Sequence, residues 1–326
     1  MTSAIFTTTL HQMVIFGLIL GLGFLAGKLG VIRQSTMPEL SRLIVNILLP
    51  ALVFTSIYGD ISRDMIMENL PLLGLSACFY AIIIAVTFVL SRALRLKGDR
   101  ARVFQLCFIF GNTGFVGFPL MTAVFPGTGM ICMTFFTLVD QFIFWTYGIY
   151  LSTAQEDGEF ANKESHIGHD EKTHRHLFDW KSLVSPNTVT LVVAFAFVVV
   201  GIPLPSVVCD ALQAVASATS ALCMMYLGAL ICFTDCMKVL KRADIYVGMA
   251  FKMVLVPIAL GFALQMMGLF REEIIQCFIM ITALPTMTLV PIVASNNGHE
   301  GAYAAGVTAV TLVASIVTIP FVMMVI

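Results

Sequence analysis

Charge is what this 326-residue sequence has least of: Asp, Glu, Lys and Arg together make up 11%, against about 25% in soluble globular proteins. A soluble fold of this composition would leave large apolar patches facing water, which monomers rarely do. The charges also nearly cancel, 18 basic against 19 acidic for a net of −1, so no basic nucleic-acid surface exists. The opening stretch MTSAIFTTTLHQ lacks the basic region of a signal peptide, and the first apolar run is expected to stay as a span. No Walker A motif is present, which excludes an ATP motor within the chain. Neither a G-x-S-x-G motif nor a histidine deep in an apolar run occurs; His11 and His299 stand at run ends. With a single deep acid besides, the chain lacks the nucleophile-and-base pair or paired acids of a membrane-embedded enzyme. The eight cysteines lie in or beside apolar runs and read as small buried hydrophobes. Cys232 and Cys236, one helical turn apart, have no further ligand near them. No metal site and no cofactor is therefore expected.

What the chain does have is apolar sequence: 59% of residues are hydrophobic and the mean hydropathy is +0.94. The apolar runs are continuous and about 20 residues long, the length that a helix needs to cross a bilayer core; a barrel would show alternating strands of about ten. Ten spans are expected, at about 10–30, 40–58, 71–92, 103–125, 130–152, 186–203, 206–233, 245–269, 274–296 and 302–325. A polar stretch over 153–184 divides them into a first unit at 1–152 and a second at 185–326, five spans each. That stretch holds HIGHDEKTHRH, with His166, His169, His174 and His176; so polar a segment reads as a solvated loop.

Basic residues orient the spans. Counting Lys28, Arg33 and Arg42, the cluster from Arg92 to Arg102, the four in 153–184, and Lys238, Lys241 and Arg242 gives fifteen on one side. Only Arg63 and Arg271 fall on the other, and Lys252 lies inside a span. The crowded side is cytoplasmic, the polar loop with it, and both termini are expected to be extracytoplasmic.

Five is odd, so similar halves must insert upside down relative to each other. The fourth span of each half carries helix breakers: GNTGFVGFP, with Gly111, Gly114, Gly117 and Pro119, and ALPTMTLVP, with Pro285 and Pro291. A helix interior loses about 1 kcal/mol for a Gly and about 3 for a Pro. Interrupted spans in matching positions of an inverted repeat point to the binding site of a secondary transporter. There the half-helix N-termini would hold an anion without Lys or Arg. Asn112, Thr113 and Gly114 from one repeat, with Pro285, Thr286 and Thr288 from the other, are the candidate substrate-binding residues.

GNTGFVGFPL, NILLPALVF at 46–54 and MVLVPIA at 253–259 resemble the auxin efflux carrier family of bacterial and plant permeases, within the bile/arsenite/riboflavin transporter superfamily. The most specific run is Asn112, Gly114, Phe115, Gly117 and Pro119, and Pro285 matches the proline at which that family's ninth helix breaks. The resemblance spans nearly the whole chain. It implies an all-α membrane protein of ten helices in two inverted five-helix repeats, with spans 1, 2, 6 and 7 as scaffold. The other six would form a moving core whose fourth and ninth helices cross. It further implies transport of small organic acids, such as malate, malonate or auxin-like carboxylates, by an elevator motion, often in a homodimer. Two departures stand out. LPTMTLVPIVAS holds no acid of the kind that the sodium-coupled bile-acid-type symporters use, and the third span, PLLGLSACFYAIIIAVTFVL, lacks the Asp and Lys pair of the plant carriers.

Asp140, about midway along the fifth span, is the one deep acid. Intramembrane acids are expensive and commonly functional, which makes Asp140 the proton-coupling candidate. Lys252 lies about two turns into the eighth span, within reach of the interface by snorkelling. The expected function is a secondary active permease for small organic anions in the cell membrane. A sodium-coupled symporter, and a receptor or sensor on the same fold, remain as alternatives.

Overall fold

The computed structural model describes residues 2–61, 63–152, 186–234, 237–296 and 300–326. The polar stretch 153–184, with its four histidines, lies outside the described residues, as do Cys236 and His299. Among the described residues every regular element is a helix. In chain order these include α1 (Ile5–Lys28), α2 (Gln34–Gly59), α3 (Pro71–Ala93), α4 (Gly98–Ile109), α5 (Thr113–Val124) and α6 (Thr128–Ser152). There follow α7 (Pro186–Val200), α8 (Ser206–Phe233), α9 (Ala243–Met267), α10 (Glu272–Thr282), α11 (Leu289–Asn296) and α12 (Gly301–Val325).

Seven of these helices (α1, α2, α3, α6, α8, α9 and α12) are long and apolar enough to cross a membrane. The sequence reading sets out ten spans with the fourth and ninth broken, and the helices stop in both of those runs. The runs at 103–125 and 274–296 are each interrupted, into α4 and α5 and into α10 and α11. The run at 186–203 yields the 15-residue α7. The interruptions fall where Gly and Pro are dense, because those residues withdraw helix hydrogen bonds or raise the entropy of ordering.

Proline also shapes helices that continue. Pro50, Pro119 and Pro257 each stand two residues after a π-helical turn, at Ile44–Leu48, Thr113–Gly117 and Phe251–Leu255. A proline has no N–H for the carbonyl four residues back, and a widened turn relieves the crowding. A fourth such turn, Phe144–Gly148, has no proline; there Gly148 packs against the Phe110 ring.

In lipid, helices associate by close packing more than by burial from water. The clearest case is α1 against α8. A Cβ added to Gly23 would overlap the Met225 carbonyl, and one added to Gly228 would overlap that of Leu20, so the two backbones touch where both helices lack side chains. Helix α2 packs on α7 and α8; α3 packs on α4 and α6; α10 packs on α6, α9 and α12. Around the first interruption an aromatic cluster closes up, with Tyr80 to Phe110 at 6.0 Å, Phe110 to Phe144 at 5.0 Å and Tyr80 to Phe136 at 5.4 Å. Each such pair contributes about 0.5–1.5 kcal/mol beyond its burial. Polar groups go inward, while Leu18, Leu22, Met266 and Val317 face outward, as a lipid-facing surface requires.

Candidate functional site

The two interruptions meet. Asn112 N donates to Pro285 O at 2.7 Å, and Met287 N donates to Phe110 O at 3.1 Å, with Gly111 and Thr286 paired antiparallel between them. Hydrocarbon offers no water to a broken helix, so freed peptide groups must find protein partners. Here each break supplies the other's. Side chains complete the set: Thr286 Oγ1 donates to Cys107 O at 2.9 Å, Thr311 Oγ1 accepts from Thr286 N at 3.1 Å, and Lys252 Nζ donates to Leu284 O.

Asn112 is the N-cap of α5. Its Oδ1 accepts from Phe115 N at 3.1 Å, and its Nδ2 donates to Thr288 Oγ1 at 2.8 Å. One of the two amide hydrogens remains for another acceptor. The positive pole of α5 opens beside it. Gly117 lets α5 lie against the second break, since an added Cβ would come within 2.9 Å of Leu284 Cδ1. Pro119 starts the regular part of α5, and Pro291 sits in the first turn of α11, positions where a missing N–H is harmless.

A cavity of about 70 Å³ lies against this meeting point. Asn112, Thr113, Gly114 and Thr288 are on its wall, and Val45 and Leu49 of α2 close the far side. Ligand pockets commonly measure about 300–1,000 Å³, so the cavity is too small for such a ligand in this conformation. Pro285 and Thr286 are not on the wall; their contacts hold the two breaks together. The wall also includes Thr137, Gln141 and Trp145 of α6, which sequence reasoning missed. Trp145 Nε1 donates to Gln141 Oε1 at 3.1 Å, and the buried Thr137 Oγ1 has no hydrogen-bond partner. Their signal was present, three residues with polar atoms at a spacing of four on one helix face. Among the described residues, no Lys, Arg, Asp or Glu lines this cavity.

Asp140 occurs on the same helix but off the wall. It is fully buried, accepts from the Tyr80 hydroxyl on Oδ1, and has no hydrogen-bond partner on Oδ2. Thr113 is beside the carboxylate, and the Lys252 charge acts on it from a distance, without a direct ion pair among the described residues. Lys252 is only 2% exposed. It points inward to the second break and does not snorkel as the sequence reading allowed.

Two larger cavities flank the helix ends. One, of about 500 Å³, lies by Arg100, Arg242, Glu300 and Tyr303. The other, of about 470 Å³, lies by Glu68, Asn69, Arg271 and Glu273.

A family profile described as membrane transport protein matches residues 8–323. An uncharacterized transporter of Methanocaldococcus jannaschii is 25% identical over 209 residues, 63% of this chain and 63% of that protein. An uncharacterized transporter of Methanothermobacter thermautotrophicus is 26% identical over 134 residues, 40% of this chain and 43% of that protein. The chain thus covers less than two thirds of the length of either relative.

Proposed function

Because the chain belongs to the membrane transport protein family, that of the auxin efflux carriers, we propose that it is a secondary permease for a small organic anion. The family makes it a multi-pass membrane transport protein and not an enzyme. The observation that carries the finer reading is the mutual hydrogen bonding of the two helix breaks beside a small cavity with no charged side chain among its described lining residues. Such a site favours an anion through peptide N–H groups and helix poles, which attract a carboxylate without a fixed cation on the wall.

In this reading the substrate is a dicarboxylate or an auxin-like carboxylate. Asn112, Thr113, Gly114 and Thr288 contact it, joined by Thr137, Gln141 and Trp145. Pro285 and Thr286 fix the crossing. The chain forms two inverted five-helix repeats, 1–152 and 185–326, joined by a cytoplasmic loop at 153–184, in the inner or plasma membrane with both termini outside. Helices α1, α2, α7 and α8 act as scaffold, and the rest move as an elevator, in a homodimer. Access requires motion because the cavity, at about 70 Å³, must open before a carboxylate enters. Asp140, buried next to Thr113, carries the coupling proton.

Counterflow into proteoliposomes, with the purified chain and a panel of labelled mono- and dicarboxylates, tests the reading. Accumulation of one acid without sodium supports it. A strict sodium requirement favours the sodium-coupled alternative. Saturable binding without flux favours a receptor.

A further inference from the structure

A broken membrane helix leaves carbonyls at the end of its first half, at the negative pole of that half's dipole. In broken-helix transporters those carbonyl ends are where a coupling cation binds. The two breaks here meet that demand differently. At the first, a neutral hydroxyl serves: Thr286 Oγ1 donates to Cys107 O at 2.9 Å. At the second, the exposed carbonyl is that of Leu284, two residues past the end of α10, and its donor is the ammonium of Lys252.

Lys252 is built into that place. It stands in the π-helical turn Phe251–Leu255 of α9, just before Pro257; such turns are rare and frequent at functional sites. Across the breaks, a Cβ added at Gly111 would lie 3.7 Å from Nζ and 3.3 Å from Leu284 Cβ, so the glycine keeps that corner open. Among the described residues no direct ion pair neutralises the ammonium, and Asp140 acts on it only from a distance. A buried charge without a paired partner is costly, and intramembrane charges held at such cost are commonly functional.

We infer that the Lys252 ammonium is a tethered cation occupying the coupling-cation position of the crossing, so that transport needs no free alkali cation. The inference rests on the crossing being the transport site, as proposed above. It also supplies a positive charge at the crossing, beside a cavity whose described lining residues carry none.

The test uses the full chain and two variants. Lys252→Ala removes the ammonium and leaves room for a small cation at Leu284 O, whereas Lys252→Met keeps the bulk and loses the charge. Melting in detergent is compared in sodium chloride, methylammonium chloride and choline chloride at equal ionic strength. Lys252→Ala is expected to melt about 2 °C or more higher in sodium or methylammonium than in choline, with wild type and Lys252→Met indifferent. In counterflow, both variants are expected to lose at least about tenfold in rate. Sodium or methylammonium restores only the alanine variant.

An alanine variant blind to every cation in melting overturns the inference. So does a methionine variant that transports at the wild-type rate. Should the alanine variant not fold, the methionine variant decides. If wild type moves no carboxylate, the permease reading fails on that result alone, while the melting comparison still decides the cation site.

Discussion

Asn112 joins the two breaks through two hydrogen bonds and caps α5 with a third, and its replacement separates capping from binding. Asn112→Ala keeps the backbone bond to Pro285 O and removes both side-chain bonds, to Phe115 N and to Thr288 Oγ1. Loss of an N-cap costs about 1 kcal/mol. Loss of the Asn112–Thr288 bond costs roughly 1 more, with a further penalty for a buried N–H left unpaired. The fold is therefore expected to lose about 2–3 kcal/mol. Substrate affinity falls separately: one amide N–H aimed at the cavity is worth about 0.5–1.5 kcal/mol, a threefold to tenfold loss. Asn112→Asp tells the two effects apart. Its carboxylate still accepts from Phe115 N, and the Thr288 hydroxyl can turn to donate to it, so the cap survives. The same charge repels an anionic substrate, so binding suffers more than in the alanine variant while melting suffers less. Melting in detergent and binding of a labelled carboxylate are measured on both proteins. Wild-type affinity in both variants would refute the reasoning and leave Asn112 as a cap only.

Asp140→Asn is expected to abolish accumulation driven by a pH gradient while counterflow continues, because exchange needs no net proton movement; continued accumulation by the mutant removes Asp140 from coupling. Gln141→Leu removes the acceptor of Trp145 Nε1 on the cavity wall and is expected to shift relative uptake among carboxylates by about threefold to tenfold, with no shift excluding Gln141 from the site. Gly228→Val drives a branched side chain into the α1 backbone at Leu20 and is expected to cost about 1–3 kcal/mol or more, read as loss of monodisperse protein on size exclusion. A reporter fused at the C-terminus is expected to behave as extracytoplasmic and one inserted near residue 170 as cytoplasmic; both on one side would refute the fifteen-to-two charge reading.

The sequence by itself determined the membrane class, the family and the places where two apolar runs stop being helix. All three rest on local physics. Hydropathy summed over about 20 residues decides whether a segment prefers lipid, and the Gly and Pro of GNTGFVGFP and ALPTMTLVP weaken a helix in any surroundings. What those breaks do with their freed peptide groups was decided only in three dimensions. The pairing of Asn112 N with Pro285 O and of Met287 N with Phe110 O joins residues more than 170 positions apart, and no local signal fixes such a register. Thr286 looked like a ligand-facing hydroxyl, yet its bond to Cys107 O turns it to the crossing. Thr137, Gln141 and Trp145 looked like three residues of an ordinary span, and the neighbouring α2 and α5 make their face a cavity wall. Lys252 is the sharpest case. On a helix drawn alone its long side chain reaches the interface, but the packed chain places the Leu284 carbonyl within its reach. A long flexible side chain takes whichever partner the surrounding helices leave open, and that choice belongs to the tertiary structure.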